Sequence, residues 1–587
     1  MRGCAIMKRT ISALLLITMF FLSTACGGAP TDEATPPGEN SELSPTIEIT
    51  PSPTPGTEEY PVESVRISDL GEYVIVYPSD YTEYRMQEVQ LLRDVIKHIT
   101  GKAPQIVPDT APEAEREIII ASSSRETKLD DKINSFQHGA DYIIAVSDGD
   151  IILGGNNFYA DVRAIYDFYS NRLGYDDIDD RYYAHSDTVS GVSCNLYQKP
   201  PLIILGNNGS VSAFTEQYAI RDMRDANFNF MAINEAYYTQ EQLQDLLKWC
   251  ARYGISLMFV QTKERYLDIY KDCPMVWGHA LMDEPQIANI TDCRRVYENY
   301  IEKYSHYGEY EWKPFLNQLG FLPQWNYISE FDGIFEGLDM MSFDRYFGHS
   351  VLNDMSELFS VYEMARDFTA KNNQELWTYI QSFNIVNENQ NASKMLRWQS
   401  YVSLCFGAKA ILYFQYGDAS KNHTIEGDWS FGSLVNWDFT KNDAWYCAKD
   451  TNAELLKVAE MLKDYVNVGA YTVNVSDMYP SAYLENPYHE LDSVLCEILS
   501  PAQKRSSYLV GCFDKINSDG NAFIIMNIDD LDSIPYDETH AQPARVKING
   551  ENVKFYREGE LQSVPKDDEG YYLLEIGNGH CWFVEVE

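Results

Sequence analysis

Basic side chains are scarce in this 587-residue chain: 46 Lys and Arg stand against 88 Asp and Glu, a formal net charge of -42. A surplus of that size repels phosphate backbones and anionic lipid surfaces over any extended contact, which argues against nucleic acid as a partner. Cysteine is sparse and unpatterned. Besides Cys4 and Cys26, nine remain, an odd number, with no CxxC and no Cys/His ligand spacing. Neither a disulfide framework nor a zinc site is implied, and no metal or cofactor is expected. Composition is otherwise ordinary, with 45% hydrophobic and 23% charged residues, enough to build sizeable cores and to exclude global disorder. The length suggests three or four folding units and excludes a single small binding module. Aromatics make up 13% of the chain, including 42 Tyr and 10 Trp. Such rings fill cores, and they also suit stacking on the apolar faces of sugars.

Lys8 and Arg9 precede an apolar run from Ile11 to Leu22, after which Ser23, Thr24 and Ala25 lead to Cys26, Gly27 and Gly28. The run is short for a membrane span of about 20 residues. The pattern resembles a bacterial lipoprotein signal (residues 1–26), which implies lipidation at Cys26 and export to the cell surface, with the lipid as the only membrane attachment. An ordinary signal peptide with an incidental Cys also implies export, and Met7 is a second candidate start. Between Gly27 and Val65 there is no Lys or Arg, but there are eight Pro and eight acidic residues. A stretch of this kind buries too little apolar surface to offset its ordering entropy, so residues 27–64 read as a disordered tether.

Residues 65–193 form the first expected folded unit. Tyr73 to Tyr77 reads as a strand, Tyr84 to Ile99 as a helix, and Glu117 to Ala121, Asp141 to Val146 and Asp150 to Leu153 as strands. Ser147-Asp148-Gly149 joins the last two as a hairpin, and Phe158 to Leu173 is a second helix. With phrases such as Ile151-Ile152-Leu153-Gly154-Gly155 and Ala164-Ile165-Tyr166-Asp167-Phe168, this unit resembles the non-catalytic α/β accessory domain that precedes the barrel in family 20 hexosaminidases and α-glucuronidases.

Residues 200–472 repeat a short apolar run eight times: Leu202–Gly206, Phe228–Asn234, Ile255–Gln261, Val276–Met282, Lys313–Gln318, Gly337–Ser342, Leu376–Gln381 and Ala408–Tyr416. Eight such runs alternating with helix-like segments predict a (β/α)8 TIM barrel, whose active site lies at the C-terminal strand ends. An open doubly wound sheet is the competitor, but no Gly-rich phosphate loop follows the first strand. The fourth run ends Met282-Asp283-Glu284-Pro285. Asp-Glu-Pro alone reads equally well as a solvated loop or a helix cap. At the end of a fourth barrel strand it brings two acids to one pocket, and glycoside cleavage needs an acid for the leaving oxygen plus a group that stabilises or traps the oxocarbenium centre.

Here the chain resembles sugar-cleaving barrels, which commonly carry the acid/base Glu at the end of strand four. Met341-Ser342-Phe343-Asp344-Arg345-Tyr346, Leu396-Arg397-Trp398-Gln399 and Phe406-Gly407-Ala408-Lys409-Ala410-Ile411-Leu412-Tyr413-Phe414 belong to the same resemblance. β-Galactosidase-like enzymes place a nucleophilic Glu at the end of strand seven, where this chain has Leu376-Trp377-Thr378-Tyr379-Ile380-Gln381-Ser382-Phe383 and no carboxylate. Either another residue supplies the second carboxylate, with Glu235, Asp344, Glu388 and Asp418 as candidates, or none is needed. In families 20 and 123 an adjacent Asp-Glu pair works with the substrate's own 2-acetamido oxygen, and Asp283 and Glu284 resemble that pair. The resemblance thus implies a glycoside hydrolase acting on an oligo- or polysaccharide, with Glu284 as acid and Asp283 assisting, on β-N-acetylhexosaminides in one version and as a two-carboxylate β-glycosidase in the other. A non-catalytic carbohydrate-binding lipoprotein is the rival class. Candidate sugar contacts are Tyr237, His279, Tyr346, Trp377, Tyr379, Gln381, Tyr416 and Trp429, with core packing as the competing role for each. Arg345 and Lys409 read better as structural pairs than as ligands for an acidic sugar.

The last unit, residues 473–587, carries short runs at Tyr508–Phe513, Ala522–Met526, Ala544–Ile548, Tyr571–Ile576 and Cys581–Val586, separated by Gly, Asn and Asp. These read as antiparallel strands, and the unit resembles the β-sandwich that closes many glycosidases. The expected class is therefore α/β: a TIM barrel between an N-terminal α/β accessory domain and a C-terminal β-sandwich.

Overall fold

The computed structural model describes residues 63–587, apart from 185, 209–213, 261–263, 306, 321–324, 326–327, 329–332, 347–350, 384–391, 418–432, 437, 474–495, 500–506, 529–542 and 578. Cys26, Glu388, Asp418 and Trp429 lie outside the described residues, as do the expected signal segment and nearly all of the expected tether. Every described residue falls in one compact unit, Tyr60–Glu587.

In the N-terminal layer six strands form one sheet in the order Val192–Asn195, Tyr142–Ser147, Asp150–Gly154, Glu117–Ile120, Val74–Tyr77, Gln105–Pro108. The expected hairpin is closed by Asp148 and Gly149 at φ 55 and 85, a two-residue turn whose left-handed backbone suits strand twist. Helix Glu83–Thr100 starts at Thr82, whose side chain accepts from Arg85 N, and stops at left-handed Gly101. Strand Gln105–Pro108 was not anticipated, because four residues ending in Pro give too short a period to read.

The barrel strands are β1 (Ile203–Asn208), β2 (Phe230–Ile233), β3 (Ser256–Val260), β4 (Val276–Asp283), β5 (Lys313–Leu319), β6 (Met340–Asp344), β7 (Glu375–Gln381) and β8 (Ala410–Phe414). All pair in parallel, and β8 returns to β1 to close the barrel. Each overlaps an expected run. Alternate residues, among them Leu205, Phe230, Met258, Phe315, Met340, Trp377 and Leu412, fill the interior. The others pack outward under helices such as Gln240–Tyr253, which begins with a capping box at Thr239 and Gln242. This helix also holds the N-terminal layer. Arg252 pairs with Glu88 at 2.7 Å and Asp177 at 2.8 Å, and Lys248 pairs with Glu88 at 3.4 Å, all four side chains buried.

Strands Tyr465–Val473, Tyr508–Lys515, Asn521–Asn527, Cys581–Val586, Lys554–Arg557 and Glu560–Gln562 form a second six-stranded sheet. It shares a core with the sheet of Cys496–Leu499, Pro543–Ile548 and Tyr572–Glu575, through residues such as Val510, Ile525, Val546 and Leu574. The first strand starts ahead of the boundary expected at 472/473. No linker composition separates it from the last barrel helix, Asp443–Leu462, so sequence offers no mark of the change.

Candidate active site

Strand β4 departs from ideal pairing on both edges. Its register shifts against β3 between Leu257 and Met258, and against β5 between Ala280 and Met282. An extra residue in a strand re-aims the side chains beyond it, and such bulges often lie beside active sites. Glu284 follows at φ 45, a left-handed conformation that few non-glycine residues adopt. Consecutive strand residues point to opposite faces, so Asp283 and Glu284 would diverge on a regular strand. The turn at Glu284 brings both to one cavity, while its N–H still donates to the Asn317 carbonyl at 2.8 Å.

That cavity, about 280 Å³, lies over the C-terminal ends of the strands. Met258, Ala280 and Phe315 form its floor, and Asn207, Tyr346, Tyr379 and Phe414 its sides. Three carboxyl groups enter it: Asp283 exposed, Glu284 half-buried and Asp344, at the end of β6, buried. Asn317 on β5 ties two of them together, its amide Nδ2 donating to Asp283 Oδ1 at 3.1 Å and to Asp344 Oδ1 at 2.9 Å. Ser342 Oγ donates to Asn317 Oδ1 at 3.0 Å and so fixes which amide atom faces the acids. Tyr346 stacks on Phe414 with centroids 5.5 Å apart, and Asn207 Nδ2 donates to the Tyr379 hydroxyl at 3.2 Å.

Burial raises the Glu284 pKa, the charge of Asp283 raises it further, and a hydrogen bond from Asp344 opposes both. Burial likewise pushes Asp344 up to about 7, helped by the Glu284 and Asp283 charges and resisted by the Asn317 hydrogen bond. The two carboxyls lie close enough to interact directly. Each therefore shifts the other's protonation, and burial beside the neighbouring charge favours a protonated acid at this end of the barrel.

Of the residues singled out in the sequence, Asp283, Glu284, Asp344, Tyr346 and Tyr379 meet in this cavity. The others described do not line it. Glu235 is fully buried in a turn after β2, where the Tyr270 hydroxyl donates to it at 3.3 Å. His279 points out of the barrel wall, between the Tyr270 hydroxyl at 3.2 Å and the Tyr300 hydroxyl at 3.0 Å. Burial lowers its pKa to about 3, so it is a neutral core histidine. Trp377 lies inside the barrel near its opposite end, bonded through Nε1 to Glu375 at 3.1 Å. Tyr416 is buried against Phe228, outside the barrel, and Tyr237 is exposed beyond the lining. Gln381 is buried and donates to the Phe383 carbonyl at 3.3 Å. Arg345 pairs with Glu357 at 3.0 Å.

Sequence reading missed Asn207, Asn317, Ser342 and Phe414. A signal for the first two existed: Asn207-Asn208 and Asn317-Gln318 are polar pairs ending apolar strands, where barrel side chains reach the mouth. Among the described residues, no cluster of His, Cys, Asp and Glu is arranged to hold a metal ion.

No family model matches the chain, and no curated protein does. Among solved structures, one partial likeness is to the polyextremophilic β-galactosidase of the Antarctic haloarchaeon Halorubrum lacusprofundi, at 12% identity and a TM-score of 0.30, covering 44% of this chain and 58% of that one. Another is to the endo-1,4-β-mannanase of Rhizomucor miehei, at 11% identity and a TM-score of 0.32, covering 45% of this chain and 97% of that one. The chain thus spans little more than half the length of the β-galactosidase. What fold and site define is a (β/α)8 barrel with three linked carboxyl groups at its C-terminal mouth.

Proposed function

We propose that the protein is a glycoside hydrolase, anchored at the cell surface through Cys26, with Glu284 as its general acid. The observation that carries this reading is the meeting of Glu284, Asp344 and Asp283 at the end of the barrel where catalytic groups collect, with burial raising the pKa of the first two; in this reading those two share a proton. The leaving oxygen takes that proton from Glu284 as the glycosidic C–O bond breaks. All three carboxyls are then ionised around the cationic centre that forms, at the moment when negative charge is of most use.

Within that class, the reading extends to β-N-acetylhexosaminides cleaved with help from the substrate. Asp283 and Glu284 enter the cavity together, the adjacent pair that this scheme uses without a protein nucleophile. The inward residues Trp377 and Tyr379 of β7 supply no carboxylate. In this scheme the 2-acetamido oxygen closes on the anomeric carbon to form an oxazoline. Asp283, exposed at the mouth and held by Asn317, orients the acetamido N–H, and water then opens the ring.

The test pairs two inhibitors on the full chain, after a screen of aryl glycosides and glycans for turnover. A thiazoline mimic of the oxazoline should inhibit competitively, and a 2-fluoro sugar should leave no adduct. A 2-fluoroglycosyl adduct on a carboxylate establishes the two-carboxylate enzyme instead. Glycan binding without turnover, unchanged in Glu284→Gln, establishes the non-catalytic binder.

A further inference from the structure

A second and larger cavity, about 710 Å³, opens at the opposite end of the barrel. Its volume falls within the roughly 300–1,000 Å³ usual for small-molecule sites. Three parts of the chain supply the rings at its rim. His138 comes from the N-terminal layer, Tyr197 from the connector into the barrel, and Tyr310 from the segment before β5. His138 stacks on Tyr197 at 4.1 Å and 14° between planes, and faces Tyr310 at 6.3 Å and 29°. Gly139 allows this approach, since a Cβ there would lie 1.8 Å from the Tyr310 hydroxyl oxygen. The register shift of β4 against β3 falls beside Trp277, a half-buried ring in the base of the cavity, 5.2 Å from Trp377.

Charged side chains border these aromatic groups in partly exposed pairs. Lys199 pairs with Glu375, and Lys313 with Glu311 and Asp339, each at 2.9 Å. With Glu336, the cavity carries four acids against two lysines, a surplus that repels anionic ligands. The outer faces and edges of these rings, bordered by donors and acceptors, suit a ligand with apolar C–H faces and a dense edge of hydroxyls.

We propose that this cavity binds a segment of neutral carbohydrate chain, separately from the mouth. The packed barrel interior lies between the two sites, so they fill independently, and the lower one would hold a polymer against the protein while the upper one acts on it. The site stands without the hydrolase reading, because binding here needs no chemistry.

The test uses the full chain carrying Glu284→Gln, with chitohexaose and mannohexaose as probes and amide hydrogen exchange as the readout. At least one probe should protect residues 196–200 and 308–313, apart from any protection of 281–285 and 316–319 at the mouth. Replacing Tyr197 and Tyr310 together by Ala should weaken the lower event by about tenfold, as expected for lost ring contact, and Phe at both positions should restore it. Protection confined to the mouth, protection by neither probe, or lower-site protection indifferent to the Ala changes overturns the proposal. The protection pattern without replacements decides the matter should the Ala variant fail to fold. Lower-site binding in a protein that turns over no glycoside keeps this inference and removes the hydrolase. Turnover with no lower-site protection does the reverse.

Discussion

The chemistry proposed here rests on one proton held between two carboxyls. Asp344 has its pKa pushed up to about 7 by burial, so the folded state keeps a proton that the unfolded chain sheds near 4. Its contribution to stability is therefore present below about 4 and lost as pH rises through about 7. Asp344→Asn preserves shape and removes the titration. Its melting temperature should exceed that of the unaltered protein by about 2 °C at pH 8, and the gain should vanish near pH 4. In a pH–rate profile the same change should move the basic limb to lower pH, since Glu284 then loses its proton without a partner to share it. Asp283 and Glu284 were legible in the sequence because two acids ending an apolar run form a local pattern. Asp344 was legible only as one of four candidate second carboxylates, since choosing it rests on a contact that spans 60 positions and depends on β4, β5 and β6 lying side by side.

At the level of elements, the site depends on β4 and β5 in register. Asn317 reaches both Asp283 and Asp344 only because β5 pairs with the bulged end of β4. Its hydrogen bond favours the ionised form of Asp344, so Asn317→Ala should raise the pair's apparent pKa and carry the basic limb above about 7, opposite to Asp344→Asn. The loss of positioning should also lower kcat by about ten- to a hundredfold. Finding both limbs displaced in the same direction contradicts the proton-sharing geometry. All eight barrel strands could be read from apolar runs, since strands buried on both faces are short and nearly continuous in hydrophobicity. The bulges could not, and they decide which way residues face. Trp277, Trp377, His279 and Tyr416 sit on the expected strands or at their ends, yet none lines the cavity at the mouth.

Across the whole molecule, helix Gln240–Tyr253 joins the N-terminal layer to the barrel through buried charge. Arg252→Ala leaves Glu88 and Asp177 short of a partner, and should cost about 3–5 kcal/mol in denaturant unfolding. The lipoprotein reading predicts that Cys26→Ser releases the protein from membrane fractions into the medium. The central claim, that Glu284 is the acid of glycoside cleavage, is tested most directly by one comparison of kcat/KM. Glu284→Gln is set against the unaltered protein on an activated aryl glycoside and on a glycoside of a poor leaving group. The account predicts a loss of about 10²–10⁴ on the poor leaving group and far less on the activated one, whose departure needs no proton. Equal losses on both, or no loss on either, would contradict it.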